Sequence, residues 1–489
     1  MSADDNHTGK PTASRLSRRA LLAGAAASAG ALGLGFGPEQ AVAEAPRARE
    51  GRYLIKNGVV LSFDGKVGDF DRADVLVEGG KIVAVRPNIT ATATVIDARN
   101  AIVMPGFTDT HHHFYQSALR NVLGNGLLSD YSRDIVEKAT PFFRVEDAYD
   151  GVLSGALRSL SSGITHVTDL SQVSNTPEHS DAMIKAFRDS GIRAVHAYSR
   201  GYGPGAKYPN DAERMLKQHF GANDGLVRLA LSTAISKEQW LLARKLGLRI
   251  YTHVVGNLAA VAPAGVIKLG EEGLMGPDNV YIHFTNATDA HMKRVKDTGG
   301  HLSLAVPIEM TMRHGNPPIQ QALDHGIIPS LSSDVETTMA ADMFSVMRAT
   351  FTLQRMLIND RAIKDEKNLP PLLTAKDVIA MATIEGARCN GVESLTGSLT
   401  PGKAADLILL RTDRTNVMPL NNAYSAIVTG MDTSNVDTVM VAGKILMSRG
   451  KLTGVNMAAL QKRITASRDF IIEKSAWPKS VIDTSMPGH

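Results

Sequence analysis

Residues 102–116 read IVMPGFTDTHHHFYQ, an apolar run, a Pro-Gly break and then three consecutive histidines. In a strand successive side chains point to opposite faces, so His111 and His113 share one face while His112 turns to the other. Two imidazoles on one face can hold a single ion. An HxH by itself is weak, because neighbouring histidines also occur by accident in cores and on surfaces. Its position carries more weight: it lies where an apolar strand runs into its loop, the end at which barrel enzymes place catalytic groups.

Working outward from this stretch, short apolar runs alternate with amphipathic helical stretches as far as Leu395, the pattern of parallel strands joined by crossover helices. Eight runs qualify as strands: 102–107, 164–169, 192–198, 226–232, 248–253, 279–284, 301–305 and 328–333. Between them, Asp147 to Leu160 sets Ala148, Val152, Ala156 and Leu160 on one helical face. Eight units predict a closed TIM (β/α)₈ barrel over 105–396. On either side the chain reads as short strands and turns. YLIKNGVVLSFDG (53–65) and ADVLVEGGKIVAV (73–85) carry Asn57-Gly58 and Gly79-Gly80 as hairpin signals, and strands return in 397–410 and 436–452. A composite β-sandwich from 51–104 and 397–452 is therefore expected around the barrel. Residues 453–489 read as a helix and a tail.

Three further metal-ligand side chains stand at the same level on later strands. His253 ends LRIYTH, His283 sits in NVYIHF, and Asp334 follows IIPSLSS. Imidazoles with a carboxylate suit Zn²⁺ or Fe²⁺ and leave a position for water, whose pKa such an ion lowers to about 7. Cysteine supplies nothing here, since Cys389 is the only one and neither an intramolecular disulfide nor a thiolate cluster can form.

These residues stand in longer motifs: VxxGKIVAV at the start, PGFxDxHxH, the continuation through His113, Gln116, Leu119 and Arg120, and GSLxPGKxADLxLL near the end. In them the chain resembles the amidohydrolase superfamily, in the branch holding cytosine and guanine deaminases and s-triazine hydrolases. The resemblance implies a metal on His111, His113, His253 and Asp334, with Asp334 also taking the proton of the attacking water and His283 polarising the group under attack. It implies one divalent ion, Zn²⁺ before Fe²⁺. Two-metal relatives place a bridging Lys or Glu at the end of the fourth strand, which here reads LVRLALSTA, with Lys237 beyond it.

One departure bears on the reaction. Deaminases of this branch continue the fifth-strand histidine as HxxE, where the Glu moves protons to the leaving amine; here the run is His253-Val254-Val255-Gly256. Glu309 and Glu336 are the nearby replacements. Tyr115 and Gln116 follow the HxH and are expected to wall the pocket, Gln116 at a family position. His196 and His314 are read as substrate contacts, each weighed against a hydrogen-bonded wall or loop histidine. His291, His301 and His325 are read as structural.

The expected activity is hydrolysis of a carbon–nitrogen bond in a small, cyclic or heteroaromatic substrate. The alternative set by Gly256 is a metal-dependent lyase, decarboxylase or isomerase. A non-catalytic binding protein on the same scaffold is disfavoured by the complete ligand set.

The first 43 residues are a separate matter. Ser17-Arg18-Arg19-Ala20-Leu21-Leu22 opens an Ala/Gly/Leu run to Phe36, and the chain then reaches Ala41-Val42-Ala43; this reads as a twin-arginine export signal with a small-x-small cleavage pattern rather than a membrane span. The export machinery is then a partner, a secreted or periplasmic (cell-envelope) location is expected, and the mature chain begins at Glu44. The chain is 43% hydrophobic and 21% charged with a net charge of +4. No polybasic stretch follows the signal, so nucleic acid is not an expected partner. Relatives of this branch often assemble as dimers or larger, which leaves a homo-oligomer open.

Overall fold

A computed structural model describes residues 51–221, 225–255, 261–477 and 481. The signal segment 1–43, Gly256 and the tail beyond Trp477 other than Val481 lie outside the described residues. No helix among the described residues is long and apolar enough to cross a membrane.

The chain opens with β1 (Arg52–Val60), β2 (Phe70–Glu78), β3 (Lys81–Arg86), β4 (Thr94–Asp97) and β5 (Ala101–Pro105). Gly79 and Gly80 form the two-residue turn between β2 and β3, both at positive φ, as a tight hairpin turn of this twist requires. The other hairpin signal is overturned. Asn57-Gly58 lies inside β1 as an irregularity in its pairing with β2, where Asn57 takes a φ of 67°. A side chain at Gly58 would come within 2.6 Å of Val103, so Gly58 serves close strand packing rather than a turn.

The barrel follows: β6 (Phe107–His112), β7 (Ile164–Ser171), β8 (Arg193–Tyr198), β9 (Val227–Thr233), β10 (Ile250–Val254), β11 (Asn279–His283), β12 (His301–Leu304) and β13 (Ser330–Leu331). These eight pair in chain order, all parallel. The seam between first and last is closed by a bridge from His112 to Asp334, through Asp334 N–H to His111 O (3.0 Å) and His113 N–H to Asp334 O (3.0 Å). Inside lie Val195, Ala197, Ala230, Tyr251, Val280 and Ile282. The outer faces join a larger apolar core with the helices, so the strands are buried on both sides, as a parallel sheet demands.

The sequence placed the first barrel strand at 102–107. The structure divides that run: Ala101–Pro105 is β5 of the flanking sheet, and the barrel begins at Phe107. The chain changes sheets at Gly106, where any β-carbon would meet Thr165 at 2.2 Å.

After the barrel, β14 (Leu407–Arg411), β15 (Val436–Val441), β16 (Lys444–Ser448) and β17 (Lys451–Leu452) return to the first sheet. β14 pairs antiparallel with β5, so the two flanks form one continuous nine-stranded sheet. Its core joins Ile55, Val75 and Val77 to Val103, Leu407 and Met440. The helix Met457–Lys474 packs on Val145–Ser161, with Arg463 paired to Asp150 and the Arg144 guanidinium 3.9 Å from the Phe470 ring centre.

Candidate metal centre

The site begins with a β-bulge. Between Asp109 and His112, β6 carries one residue more than the facing part of β7, so alternation is reset at that point. Thr110 turns its hydroxyl to Ser303 (2.7 Å) and Ser330 (2.9 Å). His112 stacks on Phe114 at 4.0 Å and bonds to Ser333 Oγ (2.8 Å). His111 and His113 then converge, with their Nε2 atoms 3.1 Å apart.

β10 delivers His253, whose Nε2 is 3.2 Å from His111 Nε2. Asp334 Oδ1 lies 3.4 Å from His111 Nε2 and 3.6 Å from His113 Nε2. Four donors bound tetrahedrally at about 2.0–2.1 Å would stand roughly 3.3–3.4 Å apart. His111, His113 and Asp334 stand 3.1–3.6 Å from one another and fit that figure, while His253 joins through His111 and groups with His111 and His283. The chemistry of the donors fits as well. His113 Nδ1 donates to Leu170 O at 2.9 Å, which leaves Nε2 as a bare lone pair facing the cluster. Burial holds His111 and His113 far below the ordinary imidazole range and takes His253 down to about 3, so the rings are neutral, the form that ligates. Burial pushes the Asp334 carboxyl up to about 8; His112 opposes this and Glu309 adds to it.

His283, at the end of β11, stands beside this set with Nε2 3.7 Å from Asp334 Oδ2. Its Nδ1 is 3.1 Å from Glu309 Oε1, which also accepts the Ala305 N–H at 2.8 Å. An oxygen that accepts an amide proton is an acceptor towards the ring too, so the ring proton sits on Nδ1 and Nε2 faces the site unprotonated. Burial lowers His283 to about 3 and raises Glu309 to about 8. Glu309 Oε2 has no hydrogen-bond partner. The His314 ring centre is 4.7 Å from that of His283, and both its nitrogens are buried without a partner. Asp334 and His283 both adopt left-handed backbone, at φ 61° and 69°. Such conformations cluster where surrounding structure enforces them, functional sites above all.

Of the pocket residues expected from sequence, Tyr115 lies edge-on to His113 at 6.3 Å, and Gln116 Nε2 donates to the Tyr115 (2.9 Å) and Tyr131 (2.6 Å) hydroxyls. Two do not join them. His196 Nδ1 faces Asp169 Oδ2 at 3.4 Å and its ring faces Phe187 of the helix Pro177–Ser190, while its neighbours Val195 and Ala197 face the barrel interior. It belongs to the strand–helix layer. Glu336 accepts from Ser117 (2.6 Å) and pairs with Arg120 (2.9 Å). Burial opposes its charge, but Arg120 and His112 outweigh that and keep the carboxyl low. Lys237 pairs with Glu272 at 2.7 Å, so it bridges nothing at the centre. Sequence reading missed Tyr131, which opens the short helix Tyr131–Ala139 and carries no motif, and Asp109, whose place in PGFTDTHHH was the only signal.

The amidohydrolase family pattern matches residues 102–446. The chain is 28% identical to the 5'-deoxyadenosine deaminase of Methanothermobacter thermautotrophicus, over 79% of this chain and 91% of that protein. It is 28% identical to the 5-methylthioadenosine/S-adenosylhomocysteine deaminase of Symbiobacterium thermophilum, over 81% and 93%. Among solved structures it is similar to a zinc-bound adenosine deaminase from Xanthomonas campestris (TM-score 0.75, 22% identity, 86% of this chain and 98% of that one). It is similar also to a zinc complex of an atrazine chlorohydrolase from Arthrobacter aurescens (TM-score 0.76, 22% identity, 85% and 100%).

Proposed function

The chain belongs to the amidohydrolase family, and we propose that it hydrolyses a carbon–nitrogen bond of a small, amino-substituted heteroaromatic substrate with one divalent ion, Zn²⁺ before Fe²⁺, on His111, His113, His253 and Asp334. The observation that carries this reading is the set of donor distances of 3.1–3.6 Å that joins His111, His113 and Asp334 to one another and His253 to His111. When bound, the ion supplies Lewis acidity and activates water at neutral pH.

The residues of the chain divide the remaining work. Asp334 Oδ2, on the side of the carboxylate towards His283, receives the proton of the attacking water. His283 Nε2 takes a proton from that side and returns it to the leaving nitrogen, and Glu309 fixes the ring tautomer through its Oε1. Glu309 thus acts through His283, as a positioning residue, in place of a Glu at position 256. The family resemblance alone assigned His283 as an electrophile; the shared Glu309 Oε1 favours a base. Gln116, oriented by two phenols, and His314 are the proposed substrate contacts.

The test is a panel of amino-purine nucleosides, amino- and chloro-triazines and lactams, assayed with metal-quantified protein in ¹⁸O-labelled water. Release of ammonia or amine with one labelled oxygen in the product supports the reading. Turnover without label would favour the lyase or isomerase alternative that Gly256 raises. We also propose that residues 1–43 direct twin-arginine export, which places Glu44 at the N-terminus of the exported protein; N-terminal sequencing that finds the first 43 residues there would overturn it.

A further inference from the structure

The metal reading leaves one buried carboxylate of the site without a part. Asp109 is fully buried. Its Oδ1 accepts the Ser333 N–H (3.1 Å) and the His111 N–H (3.3 Å). Its Oδ2 accepts the Ser333 hydroxyl in a short bond and lies 3.4 Å from His112 Nδ1, which is itself 2.8 Å from Ser333 Oγ. One carboxylate therefore ties the end of β6, which carries His111 and His113, to the residue before Asp334.

The tie falls where the barrel is weakest. β13 is only two residues long, and beyond it the seam consists of the two main-chain bonds between Asp334 and residues 111 and 113. Asp334 also holds a left-handed φ of 61°, a strained conformation for a residue with a side chain that persists only where its neighbours impose it. Without Ser333 anchored, the chain is free to relax that angle and swing the carboxylate away from the imidazoles.

We propose that Asp109 is a positioning residue: through Ser333 and His112 it holds Asp334 on the ligand edge and so sets the affinity of the metal centre. The inference rests on the metal reading above. Partners one step removed from a ligand typically change metal affinity on the order of 10- to 100-fold when lost. Asp109 belongs to that kind because it fixes a ligand without facing the ion.

The test is Zn²⁺ affinity of the full chain, measured by competition with a chromophoric chelator, for the parent, Asp109→Asn and Ser333→Ala. Asp109→Asn is expected to weaken binding by about 10- to 100-fold and to recover full occupancy in excess Zn²⁺. Ser333→Ala keeps the main-chain donor and removes only the hydroxyl, so a smaller loss in the same direction is expected; it also decides the matter if Asp109→Asn does not fold. Affinities within about two-fold of the parent, or a lowered melting temperature with unchanged affinity, would overturn the proposal. A parent that binds no Zn²⁺ would instead remove the metal reading itself.

Discussion

The two ends of the barrel bury polar groups in opposite ways. At the N-terminal end Arg193 holds Asp406 through two bonds of 2.7 and 3.1 Å, and Asp406 also accepts the Ala442 N–H. Beside them Tyr251 and Thr168 both donate to Asn390 Oδ1, and the atoms left over, His166 Nδ1, Arg249 Nε and Asn279 Nδ2, stand away from any cluster of ligand-type groups among the described residues. At the C-terminal end, imidazole nitrogens face one another and both nitrogens of His314 and Glu309 Oε2 have no partner. A protein rarely leaves buried polar atoms unsatisfied. The end whose buried carboxylate is paired serves stability; the other keeps the bonding capacity of its carboxylate and imidazoles for what binds there.

That contrast is broken most sharply by His111→Ala, which should take metal content from one equivalent to none and abolish turnover; full metal retention, read by elemental analysis, would sink the assignment. His283→Asn should keep the metal and slow turnover by about 10²- to 10⁴-fold, the usual worth of a proton-transfer group. Glu309→Gln acts one step further back, so steady-state kinetics should show a milder loss of about 10- to 100-fold. Equal rates for Glu309→Gln and the parent would return Glu309 to a purely structural part. At the other end the expected signature is reversed. Arg193→Ala strands a buried carboxylate and should cost about 3–5 kcal/mol of unfolding free energy, with kcat per folded molecule unchanged. Glu336→Gln should be smallest of all in turnover, since that carboxylate is spent on Arg120 and Ser117.

Much of this was legible in the chain. His111, His113, His253, His283 and Asp334 each stand at the end of an apolar strand, and strand ends in a parallel barrel share one level, so sequence position alone brought them together. The start of the barrel was not legible, because Ala101–Met104 is as apolar as any barrel strand and only a close approach at Gly106 separates the sheets. His196 and Glu336 were misplaced for other reasons. β8 keeps regular register, so His196 alternates with the inward Val195 and Ala197 onto the helix side. Glu336 lies beyond β13, where the path of the loop and not strand alternation sets its direction. Glu309 was found as a candidate acid, but its place behind His283 needed a distance.

The pairing of β5 with β14 bears on how the chain folds. Apart from the His112–Asp334 seam, each barrel strand joins its neighbour in sequence, whereas Pro105 meets Leu407 across about 300 residues, and contacts that distant form slowly because a large loop must close first. The barrel can therefore assemble step by step, while the flanking sheet waits for the last fifth of the chain. Until Leu407–Arg411 arrives, Ala101–Pro105 is an open, wholly apolar edge, the kind of strand that recruits other chains. Aggregation during refolding should therefore track the time that edge stays uncovered rather than the assembly of the barrel.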